Sequence, residues 1–185
     1  MQQLNKMNSL ETIINPIPMH GWGGSGIEEC TFKYISEKIP AGSTMLEIGA
    51  GLVSTKVFSE IYNLYSIEQN EVYLNTFNSK YIYAPIKNNW YDVEVLKNEL
   101  PKKYDVVFVD GPTEVLKKPL NGVGIRRGML NHLELFDLSC PWVFHDANRK
   151  DEKFLIEKFA QLTGKIATYH KCCDGENCDF FAVVE

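Results

Sequence analysis

Two hydrophobic periods take turns along the chain. Short apolar runs of strand length fall at residues 44–48, 64–68, 81–86, 104–110 and 141–145. Between them lie stretches with apolar residues at helical spacing, which predicts helices over 54–61, 71–77, 93–100, 125–138 and 151–162. An earlier helix is expected over 27–38, where Ile27, Cys30, Phe32, Tyr34 and Ile35 approach helical period before Pro40, Ala41 and Gly42 stop it. The run Val106, Val107, Phe108, Val109 is apolar without alternation, as in a strand buried on both faces of a parallel sheet. The end of the chain reads as strands over 166–170 and 180–184 around a turn with Asp174 and Gly175; lacking a helix between them, they must be antiparallel. Residues 1–18 form a polar arm ending in Pro16 and Pro18, and 20–26 a glycine-rich loop. Regular strand–helix alternation implies an α/β fold, an open and mostly parallel sheet with helices on both faces.

A length of 185 residues suits one domain: 1–42 as arm, loop and helix, 43–185 as the Rossmann-like core. The net charge of −5 argues against nonspecific nucleic-acid binding. No apolar window is of membrane-spanning length and no signal peptide starts the chain, so a cytoplasmic location away from membranes is expected. Cys30 and Cys140 lie in apolar stretches and read as buried thiols. Cys172, Cys173 and Cys178 cluster near the end, where His170 would complete a zinc set. Adjacent cysteines without a Cys-x-x-Cys pair instead favour reduced thiols at a turn.

Candidate chemistry collects where predicted strands end. Glu47, Gly49, Ala50 and Gly51 lie between the first strand and a helix opened by Ser54 and Thr55. Glycines there admit a ligand to the backbone, and the helix start offers N–H and hydroxyl donors to an anionic group. Glu68, with Gln69 beside it, ends the second strand about 20 residues later, the spacing at which a carboxylate accepts from ribose hydroxyls in NAD and S-adenosylmethionine sites alike. Asp110, Gly111 and Pro112 end the fourth strand, and His145 and Asp146 the fifth, followed by Ala147, Asn148 and Arg149. Ligands of open α/β sheets bind beyond these carboxyl ends. His145 reads as a general base, with Asp110 and Asp146 beside it. The same three residues would alternatively hold Mg²⁺, although an imidazole suits magnesium poorly, so no metal is assigned. Trp22, Trp90 and Arg126 are the candidate acceptor-binding residues, two aromatic walls and a cation for an acidic group.

At these residues the sequence resembles the class I S-adenosylmethionine-dependent methyltransferase superfamily, and within it a small bacterial-type group with Asp-Gly-Pro after the fourth strand, an arginine in the next helix and an acidic end to the fifth strand. The likeness spans residues 44–184. It implies a seven-stranded sheet of order 3-2-1-4-5-7-6 with the seventh strand antiparallel, S-adenosylmethionine as cofactor, and in-line methyl transfer. Metal-dependent relatives carry acids where Asp110 and Asp146 stand, while His145 departs from their pattern. The expected activity is methyl transfer to an oxygen or nitrogen of a small acceptor. An NAD(P)-dependent oxidoreductase shares the first turn and Glu68, although Ser54 stands where its third glycine would be. A noncatalytic nucleoside-binding module is the third reading. The sequence leaves the oligomeric state open.

Overall fold

A computed structural model describes residues 27–112, 125–174 and 177–185. The elements are α1 (Glu29–Lys38), β1 (Thr44–Ile48), α2 (Ser54–Ser59), β2 (Asn63–Glu68), β3 (Lys80–Tyr83), β4 (Ile86–Lys87), β5 (Trp90–Tyr91), α3 (Val93–Glu99), β6 (Val106–Val109), β7 (Trp142–Phe144), α4 (Lys150–Thr163), β8 (Ala167–Asp174) and β9 (Asn177–Val184). Seven strands form one sheet in the order β3-β2-β1-β6-β7-β9-β8. Setting aside the small β4–β5 hairpin, this is the expected 3-2-1-4-5-7-6. Within it, β9 runs antiparallel to β7 and β8.

Strand alternation explains the two-faced core. Successive side chains point to opposite faces, so Met45, Val106, Phe108 and Val143 pack with Phe32 and Ile35 of α1 and Val57 and Phe58 of α2. Their neighbours Leu46, Ile48, Val107, Val109, Trp142 and Phe144 pack on the other face with Leu96 of α3 and Leu155, Ile156 and Phe159 of α4. Both faces are covered, which is why the central strands read as continuous apolar runs. Asp92 caps α3 by accepting from Glu94 N–H at 3.2 Å, and Gly164 ends α4 in the left-handed region at φ 68°.

Local chemistry overrides the predicted pattern in several places. The expected strand 81–86 breaks after Tyr83, and Ile86–Lys87 pairs instead with Trp90–Tyr91. Asn88 and Asn89 make that turn at φ 52° and 63°, a conformation asparagine tolerates. The helix expected over 71–77 is a single 3₁₀ turn, Glu71–Tyr73, capped by the side chain of Asn70. The helix expected over 125–138 is two 3₁₀ segments, Ile125–Asn131 and Leu133–Leu135. Gly128 lies within the first, where a Cβ would come 2.9 Å from Trp90 Cβ, so packing against β5 sets its path.

The cysteines also depart from expectation. Cys30 is bonded to Cys172 and Cys173 to Cys178, and only Cys140 is a free buried thiol among the described residues. Cys172 and Cys173 are consecutive on a strand and point to opposite faces, so they cannot join one zinc site with Cys178 and His170. His170 instead stacks with Phe181 at 4.7 Å and adjoins Tyr34 of α1. No helix among the described residues is long and apolar enough to cross a membrane.

Candidate active site at the carboxyl ends of the strands

The first half of the site is the turn after β1. Gly49 has φ +95°, and a Cβ there would stand 2.5 Å from Gly111 Cα. Glycine is therefore required twice, for conformation and for the close approach of the β1 and β6 loops. The turn's polar groups are satisfied internally. Ala50 N–H donates to Glu68 Oε2 at 3.0 Å, and Gly51 N–H donates to Thr55 Oγ1 at 2.8 Å. Thr55 in turn donates to Glu47 Oε2 at 2.7 Å, as does Ser66. Ser54 and Thr55, expected as outward donors to an anion, are fully buried beneath the turn.

Burial pushes the Glu47 carboxyl up to about 7, against the hydroxyls of Ser66, Ser54 and Thr55 that favour its charged form; the nearby Asp110 charge raises it further. Burial likewise raises Glu68, opposed by the N–H groups of Asn70, Ala50 and Gln69. Glu68 receives Asn70 N–H at 2.7 Å on its other oxygen. Gln69 Oε1 and the Tyr91 hydroxyl are buried here without a hydrogen-bond partner among the described residues. Tyr91 lies within the electrostatic reach of Glu68, Arg126, Asp110 and Glu47.

The second half is charged. His145 Nδ1 lies 3.1 Å from Asp110 Oδ1 and 3.6 Å from Asp146 Oδ2, and Nε2 lies 2.8 Å from Glu28 at the N-terminus of α1. Arg126 spans the two aspartates, 3.2 Å from Asp110 Oδ1 and 3.2 Å from Asp146 Oδ2, and reaches Glu152 at 3.6 Å. Arg149 meets Asp146 at 2.7 Å. Asp146 has φ 58°, a left-handed turn that holds its carboxylate in this network. Burial alone would neutralise His145, but Asp110, Asp146 and Glu28 outweigh it and hold its pKa well above the usual imidazole range. Burial also works against the Asp146 charge, and His145, Arg126 and Arg149 reverse it, lowering that pKa.

The structure brings the strand-end residues Asp110, His145 and Asp146 together, and Arg126 of the following 3₁₀ segment joins them. It revises two roles. His145 has both ring nitrogens occupied and is not poised as a base. Trp90 is fully buried in the core rather than exposed as an aromatic wall. Trp22 and the loop 20–26 lie outside the described residues. Asp110, His145 and Asp146 offer ligand atoms within 4.8 Å of one another. They do not suit Mg²⁺, because the Arg126 guanidinium already bridges the two carboxylates and the third donor is a nitrogen. Glu28 and Glu152 escaped sequence reasoning; no local motif marks them, and the Glu28–His145 contact joins residues 117 apart.

No protein-family model matches the chain, and no curated protein matches it in sequence. Solved structures do match in fold. The precorrin-6y C5,15-methyltransferase of Geobacter metallireducens GS-15 superposes with TM-score 0.62 at 14% identity, covering 94% of this chain and 97% of that one. An O-methyltransferase from Bacillus cereus, solved in complex with SAH, gives 0.57 at 15%, covering 100% and 90%. The O-methyltransferase TomG of Streptomyces achromogenes, solved with SAM, gives 0.57 at 12%, covering 97% and 88%. These likenesses are of fold alone, and with its seven-stranded sheet the chain has the class I S-adenosylmethionine-dependent methyltransferase fold.

Proposed function

We propose that the chain is an S-adenosylmethionine-dependent methyltransferase acting on an oxygen or nitrogen of a small acceptor. The observation that carries this reading is the charge of the glycine turn. Its Ala50 and Gly51 amides are already engaged by Glu68 and Thr55, and the buried acids Glu47 and Glu68 are held by hydroxyls and amides, with no basic side chain bound to them among the described residues. A dinucleotide pyrophosphate would set two negative charges against a turn whose Ala50 and Gly51 amides are taken and whose buried side chains are acids. A ligand with a sulfonium and an ammonium group meets a complementary field. This favours S-adenosylmethionine over NAD(P).

In this reading Glu68 and Gln69 hold the ribose, and Glu47, Gly49, Ala50, Gly51, Asp110 and Gly111 wall the amino-acid end, with Ser54 and Thr55 supporting the turn from below. The bound cofactor supplies an electrophilic methyl group whose bonding pair leaves with sulfur. Asp110 orients the acceptor and takes its proton, His145 and Asp146 hold that carboxylate and Arg126 in register, and the closed strand ends exclude water. Small size favours a small-molecule acceptor. The chain is assigned no metal step.

The test is a transfer screen with methyl-labelled S-adenosylmethionine over fractionated metabolites, with and without EDTA. Label should enter a small-molecule fraction in both conditions. A chain stabilised by NAD and unaffected by S-adenosylmethionine or S-adenosylhomocysteine in thermal unfolding would contradict the reading.

A further inference from the structure

The His145 ring is gripped from both sides, and one grip comes from outside the sheet. Glu28 precedes α1 in extended conformation, and both of its carboxylate oxygens lie 2.8 Å from Nε2. Nδ1 faces Asp110 Oδ1 at 3.1 Å. An ionised carboxylate has lone pairs and no proton, so a nitrogen hydrogen-bonded to one must carry hydrogen. Both ring nitrogens are so placed, a geometry that favours an imidazolium donating in two directions.

Such a ring cannot take a proton from an acceptor. Asp110 has the room to do so. Its Oδ1 receives His145 and Arg126, its Oδ2 has no hydrogen bond among the described residues, and its side chain is 19% exposed against 5% for His145. We propose that Glu28 is a positioning residue: it holds His145 by Nε2 so that Nδ1–H fixes Asp110 Oδ1 and leaves Asp110 Oδ2 to meet the methyl acceptor. The role assigned to Asp110 rests on the methyltransferase reading; the Glu28–His145 contact does not.

Glu28 is itself built in. Thr31 Oγ1 donates to its Oε2 at 3.1 Å. Cys30, two residues on, is bonded to Cys172 of β8, and Tyr34 packs on His170 and Phe181 at ring distances of 4.7 and 5.2 Å. One stripe of α1 is thus fastened to the β8–β9 hairpin while its N-terminus reaches the strand ends. The charged groups around the ring are Glu28 from α1, Asp110 from β6 and Asp146 from the turn after β7, with Arg126 and Arg149 behind the aspartates; the Phe108 ring lies 6.0 Å away.

The test needs no acceptor. Long-range ¹H–¹⁵N spectra of ¹⁵N-histidine-labelled protein, assigned with His145→Gln, report both ring nitrogens from pH 5 to 9. Wild-type His145 should stay doubly protonated through neutral pH. Glu28→Gln should lower its titration midpoint by about 1 or more on the pH scale, while the Kd for S-adenosylhomocysteine stays within about twofold. Glu28→Asp should fall between the two, and carries the test alone if the glutamine variant does not fold. A His145 midpoint unmoved in these variants, or a wild-type ring that is neutral at pH 7, overturns the proposal. A wild-type chain that binds neither S-adenosylmethionine nor S-adenosylhomocysteine defeats the methyltransferase reading instead, and the His145 titration still decides the Glu28 contact.

Discussion

Two buried polar clusters sit at the same end of the sheet and solve burial in opposite ways. Around Glu47 and Glu68 the carboxyls are held by hydroxyls and backbone N–H groups, and desolvation lifts both pKa values. Around Asp110, Asp146 and His145 every charge has an opposite charge in contact, and the Asp146 pKa falls. Desolvation acts on both; the partners decide the outcome. The first cluster is left with unmatched acids and suits a cationic ligand. The second is internally balanced and suits a fixed geometry.

The comparison can be broken most severely at the contact between the halves. Gly49→Ala sets a Cβ against Gly111 at a left-handed φ. It should cost about 3 kcal/mol or more of stability, read by urea unfolding. Asp110→Asn should keep the fold yet lower turnover at saturating S-adenosylmethionine by about 100-fold or more, measured in the transfer assay once an acceptor is found. Wild-type turnover would remove Asp110 from the chemistry.

The first cluster is probed by pH. Glu47 has an ordinary value of 4.5, raised to about 7 in the folded protein. Its neutral form is favoured by folding, so its contribution is full below the unfolded value and is lost as pH rises toward 7, with a slope of at most about 1.4 kcal/mol per pH unit. Glu47→Gln should flatten stability over that window in denaturant titrations at several pH values. The smallest effect belongs to the metal: EDTA followed by Mg²⁺ should leave turnover unchanged within about twofold, because Arg126 already neutralises the acids.

How much of this was legible follows the range of the interactions. The order of the strands in the sheet came from the family resemblance, whereas their succession could be read because the apolar runs of β1, β6 and β7 are local. So could the strand-end positions of Glu68, Asp110 and His145. The breakdown of helix 125–138 could not, because Gly128 follows Trp90 packing. The Cys30–Cys172 bond and the Glu28 grip on His145 join residues 142 and 117 apart, where spacing carries no information. The glycine turn was legible as a strand-to-helix turn but not in its polarity, because only the fold reveals that Glu68 and Thr55 engage its Ala50 and Gly51 amides.

The central claim, that this crevice receives S-adenosylmethionine, is tested most directly by calorimetry with S-adenosylhomocysteine and NAD on the wild type and Glu68→Ala. S-adenosylhomocysteine should bind the wild type, weaken by about tenfold or more in the variant through loss of a charged hydrogen-bond acceptor, and NAD should give no heat. Binding of NAD alone, or affinity for S-adenosylhomocysteine indifferent to Glu68, would contradict the account.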